Sequence, residues 1–421
     1  FLINKYVDSF TCESEMKMDL YFNEGEPAFI DDKVNTKLFN FDFADKIYKY
    51  AMKNNIDVRM HTIVWYRHVP KQLDEYLNGR TAEDRKRLIF DFIRKYMECL
   101  NERFPNCYCI DVINEMVADP DEIRHLEEAG LPIYEYDEDL IRKDYWYNNL
   151  GKDYYVEVYK IAREVFGKNK KLFYNDNNEG NTLKQEAYVK IINKLKEEGL
   201  KQNINLIDGF GMQSHYWGDD PENKEFMNNI YTFYTNLGLE IQITEFDVSN
   251  HSTSEIQEII FKDFIEVIKL YDIDTFTIWG LNDCVSWLRE FNPTIVDRNF
   301  DIKEFGYDYL NYFSNKVKEN IETRMSKTEL IELLETLKLD REEFWVLSSS
   351  ALVLRDIYPD AGDLDIAVTD KGLEELKKNY NLVQKENGWY IVSDKIECVC
   401  DGSKEKIEYQ PEKVGDYYVQ N

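Results

Sequence analysis

The feature that most constrains this chain is a recurring unit. A short, continuously apolar run ends in polar or aromatic residues and is followed by an amphipathic helix. Candidate strands lie at residues 9–12, 58–65, 107–114, 171–175, 206–214, 240–247 and 275–281. Continuous apolar runs suit parallel strands covered by helices on both faces. One intervening helix has a readable start. Ser254 is placed to cap it and Gln257 to close a capping box, and Ile256, Ile260, Phe264 and Val267 follow at helical spacing. Repeated βα units of this size restrict the fold to a doubly wound sheet or a (β/α)8 barrel. Seven strands are one short of a closed barrel, and the chain starts at Phe1 rather than Met. The expectation is therefore an α/β TIM barrel that lacks its first βα unit.

The 421 residues allow two domains. The βα pattern runs to about residue 315 and gives way to the polar stretch "SNKVKENIETRMSK". The division expected is a barrel over 1–315, a linker over 316–327 and a small α+β domain over 328–421. Lys plus Arg number 52 against 81 Asp plus Glu, a net charge of −29. Such a chain repels polyanions, which excludes nucleic acid as a partner and suits a neutral one. No run approaches the ~20 apolar residues of a membrane span. With 30 Tyr, 24 Phe and 7 Trp there are rings to stack on a sugar, although most aromatic rings in a chain this long belong to the core. The seven cysteines form neither a disulfide framework nor a zinc pattern, which favours a reducing, cytoplasmic setting; a secreted protein remains open because the start is expected to be incomplete.

In a barrel, the residues at the C-terminal ends of the strands surround the mouth. In order these are Glu13, Ser14 and Lys17; His61 and Trp65; Asn114 and Glu115; Asn175 and Asp176; Gln213 and His215; Glu245 and Asp247; and Trp279, Asp283 and Trp287. One such residue reads as a solvated rim. The whole set buries too many polar groups unless they serve one another or a ligand. Glu115 and Glu245 sit on strands that face each other across the mouth. Two carboxylates flanking a glycosidic bond, one protonated and one ionised, are what glycoside hydrolysis requires. Asn114 adds a donor suited to a sugar hydroxyl, and His215 is placed to tune the charge of Glu245.

These residues lie in "DVINE" (111–115), "ITEFD" (243–247), "HTIVW" (61–65), "GMQSH" (211–215) and "FTIWGLND" (276–283), which together resemble glycoside hydrolase family 10, the endo-1,4-β-xylanases. The resemblance covers residues 1–315. It implies a retaining hydrolase of xylan or xylo-oligosaccharides, with no cofactor, Glu115 as general acid/base and Glu245 as nucleophile. It also implies that Lys17, His61, Trp65, Asn114, Gln213, His215, Trp279 and Trp287 line the sugar subsites. Three departures accompany it. Ser14 replaces an amide, Tyr66 and His68 replace His and Gln, and the first βα unit is missing; the first two bear on chain-length preference. A barrel that grips xylo-oligosaccharide without cutting it is the alternative.

The C-terminal stretch "VLSSSALVLRDIYPDAGDLDIAV" followed by "DKIECVC" resembles the nucleotidyltransferase superfamily. That likeness implies Asp363, Asp365 and Glu397 as ligands of a divalent cation such as Mg2+ in a phosphoryl-transfer site. Ser348, Ser349 and Ser350 stand where the motif carries glycine, which makes a non-catalytic module the favoured outcome.

Overall fold

Seven parallel strands, each hydrogen-bonded to the next in sequence order, organise the first of two compact units, Phe1–Leu310. They are β1 (Ser9–Thr11), β2 (Asp57–Met60), β3 (Cys107–Asn114), β4 (Lys171–Asp176), β5 (Gly209–Met212), β6 (Glu240–Ser249) and β7 (Phe276–Ile278). The computed structural model describes the chain outside residues 1–2, 4–5, 218–223, 251–252, 272, 274, 324, 358–359, 386–387, 394, 403–410 and 421, and describes the backbone alone at 315–323, 360 and 402. Residues of β1 and β7 approach within 8 Å between Cα atoms. No ladder joins them among the described residues, so the sheet curls nearly into a cylinder.

Helices α1 (Asp42–Lys53), α2 (Ala82–Arg103), α3 (Tyr154–Phe166), α4 (Thr182–Gln202), α5 (Lys224–Thr235) and α6 (Ser254–Leu270) fill the connections between successive strands, and α7 (Gly306–Thr323) follows β7. Local sequence explains them. Thr81 accepts from the Asp84 N–H to cap α2, Glu83 and Asp84 occupy its first turn, and Arg103 its last. Leu88, Ile89, Phe92, Ile93, Tyr96, Met97 and Leu100 make its buried stripe. Asn181 caps α4, and Asn203 ends it in the left-handed conformation at φ +54°. Helix α6 departs from expectation by one residue. Thr253 is its cap, and Gln257 is buried, donating to the carbonyls of Val248 and Asn292 instead of closing a box.

Two ranges that read as single strands are broken at the mouth. After β2 the chain leaves the ladder at His61 and resumes pairing with β3 only at Val64–Trp65. After β5 it passes through Gln213 and Ser214, the latter at φ +58°, before His215–Trp217 pairs with the far end of β6. In both places the register is interrupted, and His61 and Gln213 turn their side chains toward the two glutamates. Many aromatic side chains belong to the core. Tyr96, Tyr159, Tyr174, Tyr188, Tyr231, Tyr234 and Tyr309 are fully buried, and Phe246 stacks on Phe264 with centroids 4.1 Å apart.

The second unit spans Asn311–Asn421. The stretch 316–327, read as a linker, is helical as far as Thr323, because α7 continues through it. This unit holds α8 (Lys327–Thr336), β8 (Phe344–Val346), α9 (Ser348–Leu354), β9 (Leu364–Thr369), α10 (Asp370–Asn379), β10 (Val383–Gln384), β11 (Tyr390–Ser393), β12 (Ile396–Gly402), β13 (Glu412–Val414) and β14 (Tyr417–Val419). The sheet order is β10-β11-β12-β9-β8-β14-β13. Strand β9 is antiparallel to β8 and parallel to β12. Ser326 and Glu329 form a capping box at the start of α8. Leu330, Leu334, Val346, Ile366, Val368 and Leu376 supply its buried core.

Close packing inside the barrel gives a direct test. A Cβ on Gly209 would lie 2.2 Å from the fully buried ring of Phe173, which the Arg59 guanidinium covers at 4.6 Å. Gly209→Ala is expected to lower stability by about 1–3 kcal/mol, measured by thermal or denaturant unfolding of the full chain. A variant as stable as the parent would show that the ring has room to move.

Candidate active site

The mouth is built on a layer of buried charge beneath it. Arg59 projects from β2 and Asp111 from β3, both essentially inaccessible to solvent. Arg59 Nε donates to Asp111 Oδ2 at 2.8 Å, Nη2 pairs with Oδ1, and Nη1 donates to Gln242 Oε1 at 2.6 Å. Burial alone would raise the Asp111 pKa; Arg59 and His61 outweigh it and hold the carboxyl below its ordinary range. Asp111 in turn binds His61 Nδ1 at 2.9 Å, and the other face of that imidazole, Nε2, stands 3.8 Å from Glu245 Oε1.

Glu115 follows the last residue of β3 with φ +52°. That region costs a residue other than glycine on the order of 1 kcal/mol. Backbone contacts hold it there. Its N–H donates to Asn175 O at 3.0 Å, and its carbonyl accepts from Arg142 Nε at 3.2 Å. The Arg142 guanidinium lies between the rings of Tyr66 and Tyr134, 4.4 and 4.1 Å from their centroids. The turn takes the side chain out of the strand's alternation and into the mouth. There Oε1 accepts from Gln213 Nε2 and Oε2 from Trp65 Nε1, each at 2.9 Å.

Glu245 sits within β6 and is 6% exposed. Its Oε1 accepts from Asn175 Nδ2 at 2.8 Å, and Oε2 lies 3.3 Å from His215 Nε2. Asn175 is itself fixed by Thr244 Oγ1, which donates to its Oδ1 at 2.6 Å. Asn114 Oδ1 accepts from both Asn175 Nδ2 (2.8 Å) and Gln213 Nε2 (3.2 Å). Glu115 and Glu245 are therefore the two ends of one chain of side-chain amides: Gln213, Asn114, Asn175.

All ten barrel residues singled out from sequence fall in this assembly or on its rim. Lys17 is buried, its ammonium 4.4 Å from the Trp65 ring centroid. Burial lowers the Lys17 pKa against the pull of Glu245 and Glu115. Trp279 is buried, with its ring edge-on to His61 at 5.7 Å. Trp287 is half exposed, donates from Nε1 to Asp247 Oδ2 at 2.8 Å, and meets the His215 ring at 5.3 Å. Two other strand-end acids serve structure. Asp176 is buried against Lys184 at 2.9 Å, and Asp283 accepts from the Thr294 N–H at 2.9 Å and pairs with Lys303. Of the positions that depart from the family pattern, His68 bonds Asp19 at 2.8 Å beside the Trp65 ring, and the Tyr66 hydroxyl accepts from Arg67.

Sequence reasoning placed Asn175 and Asp247 at the mouth without giving them a role, and did not assign Arg59, Asp111, Thr244 or Arg142 to the site. A signal existed for two of them. Arg59 and Asp111 are opposite charges in the middle of otherwise apolar runs, and a buried charge demands a partner. Arg142 carried no such mark, because it comes from the long loop between β3 and α3.

In the second unit Asp365 and Glu397 are register partners on β9 and β12. Burial, then the neighbouring Asp363, raise the Asp365 pKa. Lys385 already neutralises Glu397, and Asp363 lies exposed before β9. No three His, Cys, Asp or Glu side chains among the described residues are grouped to hold a metal. With one of the three expected carboxylates committed to an ammonium, the donor set does not fit a divalent cation.

Residues 1–311 match the family model for glycosyl hydrolase family 10. Among curated proteins, the chain is 29% identical to endo-1,4-beta-xylanase A of Caldicellulosiruptor saccharolyticus over 335 residues, 74% of this chain and 88% of that protein. It is 33% identical to endo-1,4-beta-xylanase A of Thermotoga neapolitana over 321 residues, 72% of this chain and 27% of that longer protein. Among solved structures, an endo-1,4-beta-xylanase from Caldicellulosiruptor owensensis superposes with a TM-score of 0.59 at 27% identity, covering 74% of this chain and 91% of that one. A mutant in complex with xylotriose superposes with a TM-score of 0.60 at 26% identity, with the same coverage.

His215 joins the two acids of β6. Its Nδ1 lies 2.9 Å from Asp247 Oδ1, and neither atom has another partner. Burial would lower the His215 pKa, but Asp247 and Glu245 outweigh it and raise it well above the ordinary 6.5. Burial would likewise raise Glu245; the hydrogen bond from His215 and the charges of His61 and Lys17 hold it below the ordinary 4.5 instead. The raised His215 contributes stability that is complete below pH 6.5 and fades as pH rises through its folded pKa. The depressed Glu245 contributes above pH 4.5 and loses that contribution as pH falls through its folded pKa. Nitrogen NMR of the imidazole is expected to find His215 still protonated above pH 6.5. A neutral ring there would contradict this electrostatic account.

Proposed function

The chain belongs to glycosyl hydrolase family 10, and from that premise we propose that it is an endo-1,4-β-xylanase acting by double displacement, with Glu115 as general acid/base and Glu245 as nucleophile. The observation that carries this reading is the pair of carboxylates, one just past the end of β3 and one on β6, joined through the amides of Gln213, Asn114 and Asn175.

Each environment suits one role. Glu245 is held ionised by His215, His61 and Lys17, and its oxygens are oriented by Asn175 and His215. An ionised, oriented carboxylate can attack the anomeric carbon from below the ring. Glu115, turned into the mouth by its left-handed backbone, delivers a proton to the leaving oxygen. It then takes one from the water that hydrolyses the glycosyl-enzyme, so configuration is retained. Asn114 Oδ1 accepts from the amide nitrogens of both Asn175 and Gln213, which commits its own amide nitrogen to the sugar side, where a 2-hydroxyl can accept from it. Lys17, His61, Trp65, Gln213, His215, Trp279 and Trp287 complete the subsites for xylan or a xylo-oligosaccharide.

For the second unit we infer a nucleotidyltransferase-like fold. Its support is the order β8, α9, β9, with β9 antiparallel to β8 and parallel to β12. No metal-dependent step is assigned to it, since Lys385 occupies Glu397.

Release of reducing sugar from xylan by the full chain tests the barrel reading; binding by calorimetry with no release would make it a non-catalytic carbohydrate-binding barrel. Glu245→Ala is expected to lower kcat on the order of 10^4-fold or more. Glu115→Ala is expected to cost on the order of 10^2–10^4-fold on xylan. The same substitution should cost much less in glycosylation by an aryl xylobioside whose phenol departs without a proton. Equal losses on the two substrates would remove Glu115 from the acid's role.

A further inference from the structure

One buried carboxylate beside the mouth has no part in the reading above. Glu179 lies between β4 and α4 and is 5% exposed. Its Oε1 accepts from the backbone N–H of Ser214 at 2.5 Å and from the Ser214 hydroxyl at 3.3 Å. Ser214 is fully buried and has φ +58°. That conformation costs a residue other than glycine on the order of 1 kcal/mol, so something must hold it.

The neighbouring strands satisfy the backbone around Ser214. The Gln213 N–H donates to Asp176 O at 3.0 Å, the Gln213 carbonyl accepts from the Glu245 N–H at 3.1 Å, and the Ser214 carbonyl accepts from the Asp247 N–H at 3.4 Å. The Ser214 N–H is the donor that the bend takes out of the sheet, and a buried donor without an acceptor costs about 1–3 kcal/mol. Glu179 supplies that acceptor. The bend divides two side chains between two acids. Before it, Gln213 Nε2 donates to Glu115 Oε1 at 2.9 Å; after it, His215 Nε2 lies 3.3 Å from Glu245 Oε2. Glu179 is in turn held from the helical layer, where its carbonyl accepts from Gln185 Nε2 of α4 at 2.8 Å and from the Tyr234 hydroxyl of α5 at 3.3 Å. Burial raises the Glu179 pKa, and its own N–H, the Ser214 N–H, His215 and Lys184 offset this only in part. A carboxyl that has taken a proton still accepts through its other oxygen. The contact therefore needs an oxygen in the right place more than it needs a charge.

We propose that Glu179 is a positioning residue: by holding Ser214 in its left-handed bend it aims Gln213 at Glu115 and His215 at Glu245 at the same time. This rests on the xylanase reading for its effect on turnover, and it deepens that reading by making one side chain outside the reacting pair responsible for the geometry of both acids.

Two variants of the full chain separate reach from charge. Glu179→Asp keeps the charge and draws the oxygen back by about 1.5 Å; Glu179→Gln keeps the reach and removes the charge. Folding of each is checked by circular dichroism. Glu179→Asp is expected to lower kcat on xylan about 10- to 100-fold, the scale of a displacement near 1 Å, and to move the imidazole nitrogen resonances of His215. Glu179→Gln should keep most of kcat and hold those resonances close to the parent's. Ser214→Gly, which adopts the bend without strain, should return part of the loss when combined with Glu179→Asp. A Gln variant as impaired as the Asp variant overturns the proposal, because charge or general packing would then be at work. An Asp variant indistinguishable from the parent also overturns it, because Ser214 would then keep its bend unaided. If Glu179→Asp does not fold, Glu179→Gln decides alone: retained kcat and resonances uphold the proposal, and their loss overturns it. The resonances are read without substrate, so a parent chain that hydrolyses nothing removes the xylanase reading and still leaves the positioning of His215 tested.

Discussion

The structure depends on keeping one carboxylate charged where water is scarce. Glu245 is nearly enclosed within the barrel, and burial by itself would protonate it. Three cationic or donor side chains from three strands prevent that: Lys17 after β1, His61 after β2 and His215 after β5. Each is held by a further acid or ring. Asp111 holds His61, Asp247 holds His215, and the Trp65 ring lies beneath the Lys17 ammonium. The charge of Glu245 is thus stabilised by a shell of charge reaching down to Arg59 at the barrel's centre. Buried charges of this kind are costly unless every member is paired. That cost explains why so much of the interior is polar in a protein whose helices are packed by Phe and Tyr.

The two acids meet different surroundings on one scaffold. Glu245 lies within a regular strand, in a rigid setting of ions. Glu115 sits one residue beyond a strand, in a left-handed turn, with two neutral N–H donors on its carboxyl. The three amides between them carry no charge of their own. They relate the positions of the acids without linking their protonation through a shared proton. Two of the departures from the family pattern, at Tyr66 and His68, lie on the rim near Trp65 rather than in this amide chain.

The pattern of apolar runs ending in polar residues shows the order of strands and many of the residues that gather at the mouth. Each polar end is costly unless it faces a shared cavity, so the set can be recognised from residue type and spacing. The interruptions after β2 and β5 could not be seen this way. Hydropathy does not distinguish a strand residue from one that has left the ladder to aim its side chain. Helix α6 shows the same limit on a small scale: Thr253 and Ser254 are both good caps, and only the demand of two buried carbonyls for Gln257 selects between them. At 316–327 the polar composition reads as a linker, yet polar residues also make a helix, and α7 extends to Thr323.

The amino-acid sequence by itself determined the repeated βα order, the identity of the paired glutamates and the aromatic and basic residues around the mouth, because these follow from local period and from what each side chain can do chemically. Only the tertiary structure decided which groups touch: that Trp65 bonds Glu115, that Asn175 holds Glu245, that Arg142 clasps the Glu115 backbone from a distant loop, and that Lys385 occupies Glu397. These contacts join residues far apart in the chain, and their strength depends on distances and burial that arise only once the sheet has curled and shut out water.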